Sequence, residues 1–255
     1  MTSTVDVNAL LAGAATNGLI TQDTSQALQI IDIGAQIQAG LGFNCDDVVA
    51  AEVVLVTMLI DDSGSIRKTG GNAQAVRDGH NMIVDDLLAT KQAAQIFVHT
   101  RYLNGKVLYP YIALDQVPKM TSKNYDPNGG TPLFEQSLVT LSTVMAKTQQ
   151  LDDDAIPVRG ITVIVTDGED STRDRPDLVA KLVADMLATE NQIVAGMGIY
   201  DGHTDFTAVF RSMGIPDNWI HDPKRDPSPT KGWNLVSQSI ARFSQGGSVG
   251  GFGTP

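Results

Sequence analysis

Three features of the sequence predict an α/β fold. Residues 53–60 are a continuous apolar run, and the strand-like segment 159–166 is β-branched from Ile161 onward, as strands buried on both faces of a parallel sheet require. Segments between such runs carry apolar residues at helical spacing, as Val76, Met82, Ile83 and Leu87 do within 72–88. Asn104-Gly105, a strong two-residue hairpin turn, separates the strand-like runs 94–103 and 106–114, which should therefore pair antiparallel at a sheet edge.

The remaining elements follow in order. Residues 1–23 are small and polar with weak periodicity, whereas 24–41 carry Ala27, Leu28, Ile30, Ile31, Ile33 and Ile37 at mixed helical spacing, so one helix is expected there. Further helices are expected over 131–147, 175–190, 205–213 and 232–243, and strands over 192–200 and 218–221. Residues 222–231, with Pro223, Pro227 and Pro229, read as an irregular loop. The chain thus divides into an extension with one helix (1–50), an α/β domain (51–244) and a flexible glycine-rich tail (245–255) in which Phe252 is either a docking anchor or part of an idle terminus.

Of the 255 residues 42% are hydrophobic, an ordinary globular fraction, and the formal charge of -11 with scattered Lys and Arg removes the electrostatic drive toward nucleic acid or anionic membrane. Cys45 is the only cysteine, which rules out an internal disulfide framework and suggests a small apolar role. No basic segment precedes the short apolar run 9–15, and no run approaches the length of about eighteen residues that spans a membrane. A cytoplasmic location is expected.

Chemistry concentrates in Asp61-Asp62-Ser63-Gly64-Ser65, directly after the run 53–60. A carboxylate and two hydroxyls at alternating positions on a tight turn converge on one point if the backbone folds around it, and Gly64 makes that fold easy. Such hard oxygen ligands suit Mg²⁺, Mn²⁺ or Ca²⁺. Taken alone, the string is equally a strand-to-helix turn whose Ser and Asp cap the helix. Two further segments bear on the choice: Asn128-Gly129-Gly130-Thr131-Pro132-Leu133 is a glycine turn into a helix, with Thr131 suited to the cap and Pro132 to the first helical position, and Ile161 to Asp170 is another β-branched strand ending in Asp167-Gly168.

With these three segments in order, the chain resembles the von Willebrand factor A family, whose metal-ion-dependent adhesion site joins D-x-S-x-S to a separate Thr and a separate Asp; the strings GGTPL and VTDGED resemble bacterial members. The resemblance spans roughly residues 51–244 and implies a doubly wound, mostly parallel six-stranded sheet of order 3-2-1-4-5-6, with one antiparallel edge strand and helices on both faces. It implies direct metal ligation by Ser63 and Ser65 and ligation by Thr131 either directly or through water, with Asp61 and Asp167 acting mostly through bound waters, and binding of a partner whose Asp or Glu fills the open position on Mg²⁺. It also implies partners such as AAA+ ATPases, for which similar bacterial domains act as adaptors. Ile66-Arg67-Lys68 follows the second Ser where integrin-like members carry acidic residues, so no adjacent second ion is expected. Arg67, Lys68, residues 125–130 and residues 169–175, with Arg173 and Arg175, would form the surrounding surface.

In the order implied, Asp61 and Asp167 end neighbouring strands at the switch point where open α/β sheets bind ligands. No GxSxG, HExxH, phosphate-binding loop or Cys-His pair occurs, and His80, His99, His203 and His221 show no ligand spacing, so catalysis is not expected. A metal-dependent hydrolase or phosphotransferase is the alternative, and a purely structural metal a third reading.

Overall fold

The computed structural model describes residues 5–45, 48, 50–172, 175–224, 229–246 and 250–252. Every side chain of β1 (Val53–Ile60) is buried, which requires strands on both edges and helices on both faces. β1 pairs in parallel with β2 (Ile96–Tyr102) on one side and β4 (Val158–Thr166) on the other. β2 turns at Asn104-Gly105 and pairs antiparallel with β3 (Val107–Ala113), while β4 pairs in parallel with β5 (Gln192–Gly198) and β5 with the short β6 (Ile220–His221). The sheet order is β3-β2-β1-β4-β5-β6, as expected.

Two helical layers cover the sheet. In one, α5 (Asn72–Leu88) packs along α9 (Pro229–Ser244); in the other, α6 (Leu133–Asp153) packs along α7 (Pro176–Ala188). α5 and α9 approach closely because Gly79 lies beneath the indole of Trp233, where a Cβ would sit 2.0 Å from a ring carbon. α8 (Phe206–Ser212) lays Phe206 and Phe210 over Gly198 and Gly196 of β5.

The N-terminal segment differs from expectation. Instead of one helix over 24–41 there are three: α1 (Val7–Thr16), α2 (Gln22–Ile30) and α3 (Gly34–Leu41). Asp6 caps α1 by accepting from Ala9 N (3.1 Å), and Thr21 caps α2. The break at residues 31–33 lets Leu28, Ile33 and Ile37 all reach the core while Ile30 stays 85% exposed, an arrangement that one straight helix does not provide. α1 and α3 both pack on α6, which also runs longer than expected and has most of its surface buried. Val7, Leu11, Ala14, Leu28, Ile37 and Leu41 belong to the same hydrophobic core as the sheet.

At the C-terminus, Phe252 packs edge-on against Trp219 (5.4 Å between centroids), and its N–H donates to Asn218 O (2.8 Å). The rest of the glycine-rich tail beyond Gly246, Gly250 to Phe252 apart, lies outside the described residues, as do residues 225–228 of the proline-containing loop.

Candidate functional site

β1 and β4 end side by side, with Ile60 opposite Val165, so Asp61 and Asp167 leave the sheet as neighbours. Asp61 is fully buried and its carboxylate is used up locally: Oδ1 accepts from Ser63 N (2.7 Å), and Oδ2 from Thr166 Oγ1 (2.7 Å) and Asp167 N (3.2 Å). This ties the Ser-bearing turn to the end of β4. The two hydroxyls meet at Ser63 Oγ···Ser65 Oγ 2.8 Å, and both point at Asp167 Oδ1, Ser65 from 2.8 Å and Ser63 from 3.4 Å.

Ser63 occupies the cap position of the short α4 (Gly64–Lys68), yet its side chain makes no capping bond. The capping explanation of the D-x-S-x-S string therefore does not describe what the hydroxyl does.

The third segment closes against the first. Asn128 N and Gly129 N both donate to Asp62 O (2.8 and 3.0 Å), Gly64 N donates to Gly129 O (3.0 Å), and Tyr125 donates its buried hydroxyl to Asp61 O (2.6 Å). Thr131 lines the same cleft as Ser65 and Asp167. Its main chain, not its side chain, is anchored: Ser171 N donates to Thr131 O (2.9 Å) and Thr131 N to Ser171 Oγ (3.2 Å). Pro132, not Thr131, takes the cap position of α6, and Asp170 supplies the missing acceptor at that helix start by receiving Phe134 N (3.1 Å).

The cleft has a volume of about 470 Å³ and is walled by Ser65, Lys68, Thr69, Thr131, Asp167 and Glu169 on the near side and by Asp201, His203 and Thr204 on the far side. The far wall follows β5, where Asp201 Oδ1 and Oδ2 accept from His203 N (3.0 Å) and Thr204 Oγ1 (2.5 Å). Asp201-Gly202 repeats the carboxylate-glycine pattern of Asp167-Gly168 at a strand end, which is the signal that would have found this wall in the sequence. Arg67 is committed elsewhere, donating Nε–H to Pro127 O (2.9 Å) and pairing with Asp126, whereas Lys68 faces the cleft. Arg175 begins α7 in a left-handed conformation (φ 36°), and Arg173 lies outside the described residues.

Crowded carboxylates leave a mark on the electrostatics. Burial, and then the charge of Asp61, push the Asp167 carboxyl up to about 6, although the bonds from Ser65 and Ser63 oppose this. Asp62 is likewise pushed up to about 6 by burial and by Asp61, against the bond that its Oδ1 receives from Asn104 N (3.0 Å). His80 and His99 are buried and pushed down to about 4 and about 3, and His80 bonds the Tyr109 hydroxyl (2.7 Å).

The donor set fits a hard divalent cation. Asp167 Oδ2 is buried without a hydrogen-bond partner, and beside it two hydroxyl oxygens and two carboxylates crowd one another. Among the described residues no group of three or more His, Cys, Asp or Glu side chains is placed to hold a metal ion. No helix among those residues is long and apolar enough to cross a membrane.

No protein-family model and no curated protein matches the chain. Solved structures do. A pilus adhesin, SpaC from Lactobacillus rhamnosus GG, superposes with a TM-score of 0.55 at 12% identity over 77% of this chain and 31% of that one, and its open conformation with 0.52 over 75% and 30%. Proximal thread matrix protein 1 from the mussel byssus gives 0.45 at 14% identity over 77% and 48%, and a manganese-loaded TRAP protein of Plasmodium vivax 0.47 at 17% over 77% and 75%. The chain thus spans under a third of the adhesin and about half of the mussel protein. Likeness at these identities is one of fold alone, and that fold is the doubly wound six-stranded sheet that the resemblance to the von Willebrand factor A family implies.

Proposed function

We propose that this protein is a metal-dependent protein-binding module in which Ser63, Ser65 and Thr131 hold a divalent cation, Mg²⁺ or in its place Mn²⁺ or Ca²⁺, and a partner's Asp or Glu completes the coordination. The observation that carries this reading is the convergence of Ser63 Oγ and Ser65 Oγ on Asp167 beside its unpartnered buried oxygen, at the switch point of the sheet.

When bound, the cation supplies a Lewis-acidic centre that attracts a further carboxylate. The chain's own residues set how strongly. Asp61 spends both oxygens on Ser63 N, Thr166 Oγ1 and Asp167 N, so it orients the turn and reaches an ion through water. Hydroxyls in direct contact add no charge, which leaves the dication under-neutralised and lets an acidic protein hold an acidic side chain. Lys68, Glu169 and the Asp201 to Thr204 wall then shape what fits beside that side chain. The reading is one of binding without turnover, in the cytoplasm, within a multiprotein assembly for which an AAA+ ATPase is the partner class suggested by the sequence resemblance.

Calorimetric titration of Mg²⁺ and Mn²⁺ into chelator-treated protein tests it, beside Ser63→Ala and Asp167→Ala, with circular dichroism to confirm folding. Saturable binding should appear in the wild type and weaken at least about tenfold in both variants. Equal behaviour of all three proteins, with and without added glutarate as a carboxylate donor, would sink the reading.

A further inference from the structure

The Ser-bearing turn and the Thr131 loop come from segments more than sixty residues apart, yet both must contribute oxygens to one point. Arg67, in α4 just behind the turn, reaches the loop at Pro127 O and Asp126, and three further sets of bonds hold the turn and the loop themselves in register. Two are between main chains, from Asn128 N and Gly129 N to Asp62 O and from Gly64 N to Gly129 O. The third is a side chain: Tyr125, from the segment leading into the Thr131 loop, donates its hydroxyl to Asp61 O at 2.6 Å. Tyr125 is 1% exposed, and its ring packs at a tilt against Tyr102 at the end of β2, 5.5 Å between centroids. Burial, with Asp61 and Asp62 nearby, raises its hydroxyl well above the usual range, so it remains a donor at any working pH.

We infer that Tyr125 is a positioning residue for the metal site: by fixing the Asp61 carbonyl it sets the distance between the Ser63/Ser65 hydroxyls and Thr131. The inference rests on the metal reading above and extends it to a residue that touches no ligand. Tyr102 provides a matched control, because its hydroxyl makes a similar bond to the same segment, to Asn124 O at 3.0 Å, without reaching the turn.

The test measures Mn²⁺ affinity by calorimetry, and melting temperature, in the 255-residue wild type, Tyr125→Phe, Tyr102→Phe, Thr131→Ala and the Tyr125→Phe/Thr131→Ala double variant. Loss of one buried hydroxyl bond should weaken Mn²⁺ binding about 3- to 10-fold in Tyr125→Phe. Tyr102→Phe should lower the melting temperature comparably while keeping affinity within about twofold of wild type. If Tyr125 acts through the Thr131 loop, its substitution should cost less than about twofold once Thr131 is already Ala. Wild-type affinity in Tyr125→Phe, an equal loss in Tyr102→Phe, or fully additive losses in the double variant would each overturn the inference. A wild type that binds no Mn²⁺ would instead overturn the metal reading and this inference with it.

Discussion

Asp167 is held in the fold at an electrostatic cost. Its carboxyl is pushed up from 3.8 to about 6 by burial and by Asp61, so the folded chain disfavours the ionised form. The penalty is absent where folded and unfolded chains are both protonated, below about pH 4, grows as the pH rises and is complete above about 6. Asp167→Asn, which cannot ionise, should therefore raise the melting temperature of the chelator-treated protein by ~2–6 °C at pH 7.5, with the gap closing by pH 4. Thermal melts across that range check it, and a gap that persists at pH 4 would show that the cause is not ionisation. Wild-type affinity for Mn²⁺ should fall below pH 6 for the same reason.

At the scale of elements, glycine decides how closely the two layers pack. Gly79 stands in the middle of α5, where Ala is normally better by about 1 kcal/mol. Here the added Cβ would meet Trp233 ring carbons at 2.0 and 2.1 Å, an overpacking that costs about 1–3 kcal/mol. Gly79→Ala should thus destabilise the protein by about 1–2 kcal/mol in urea unfolding followed by tryptophan fluorescence; any stabilisation would mean that α9 moves away freely. The same elements show what a sequence discloses. Continuous strands such as β1, the hairpin at Asn104-Gly105 and α5 were legible because burial on both faces, turn chemistry and helical spacing are local. α1 was not, because several of the positions it packs inward, such as Ala14 and Gly13 against Gln149, are small residues that carry little hydrophobic signal. The near half of the site was legible as Asp61, Ser63, Ser65, Thr131 and Asp167. Tyr125 and Asp170 were not, since their roles come from which loops the sheet brings together, and the Asp201 wall shows in the sequence only as the Asp201-Gly202 pair.

For the molecule as a whole, α1 to α3 share the core of the sheet. Their exit depends on Gly42, which adopts φ 66° and lies so close to β3 that a Cβ would be 2.0 Å from Tyr111 O. Gly42→Val should free α3 from β3 and α6, lower the melting temperature and open residues 7–41 to limited proteolysis. Proteolytic resistance equal to wild type would show that the apolar contacts of α1 and α2 suffice without that turn.

This shared core also imposes a schedule on synthesis. Residues 7–41 are made before α6, on which α1 and α3 lie and whose Asp152 accepts from Asn17 Nδ2 at 2.8 Å; that helix is completed on the order of a hundred residues later. At about 5–20 residues per second, Leu11, Leu28, Ile37 and Leu41 wait roughly 5–20 s with no finished surface to cover them. During that interval the nascent chain is a natural client for a chaperone.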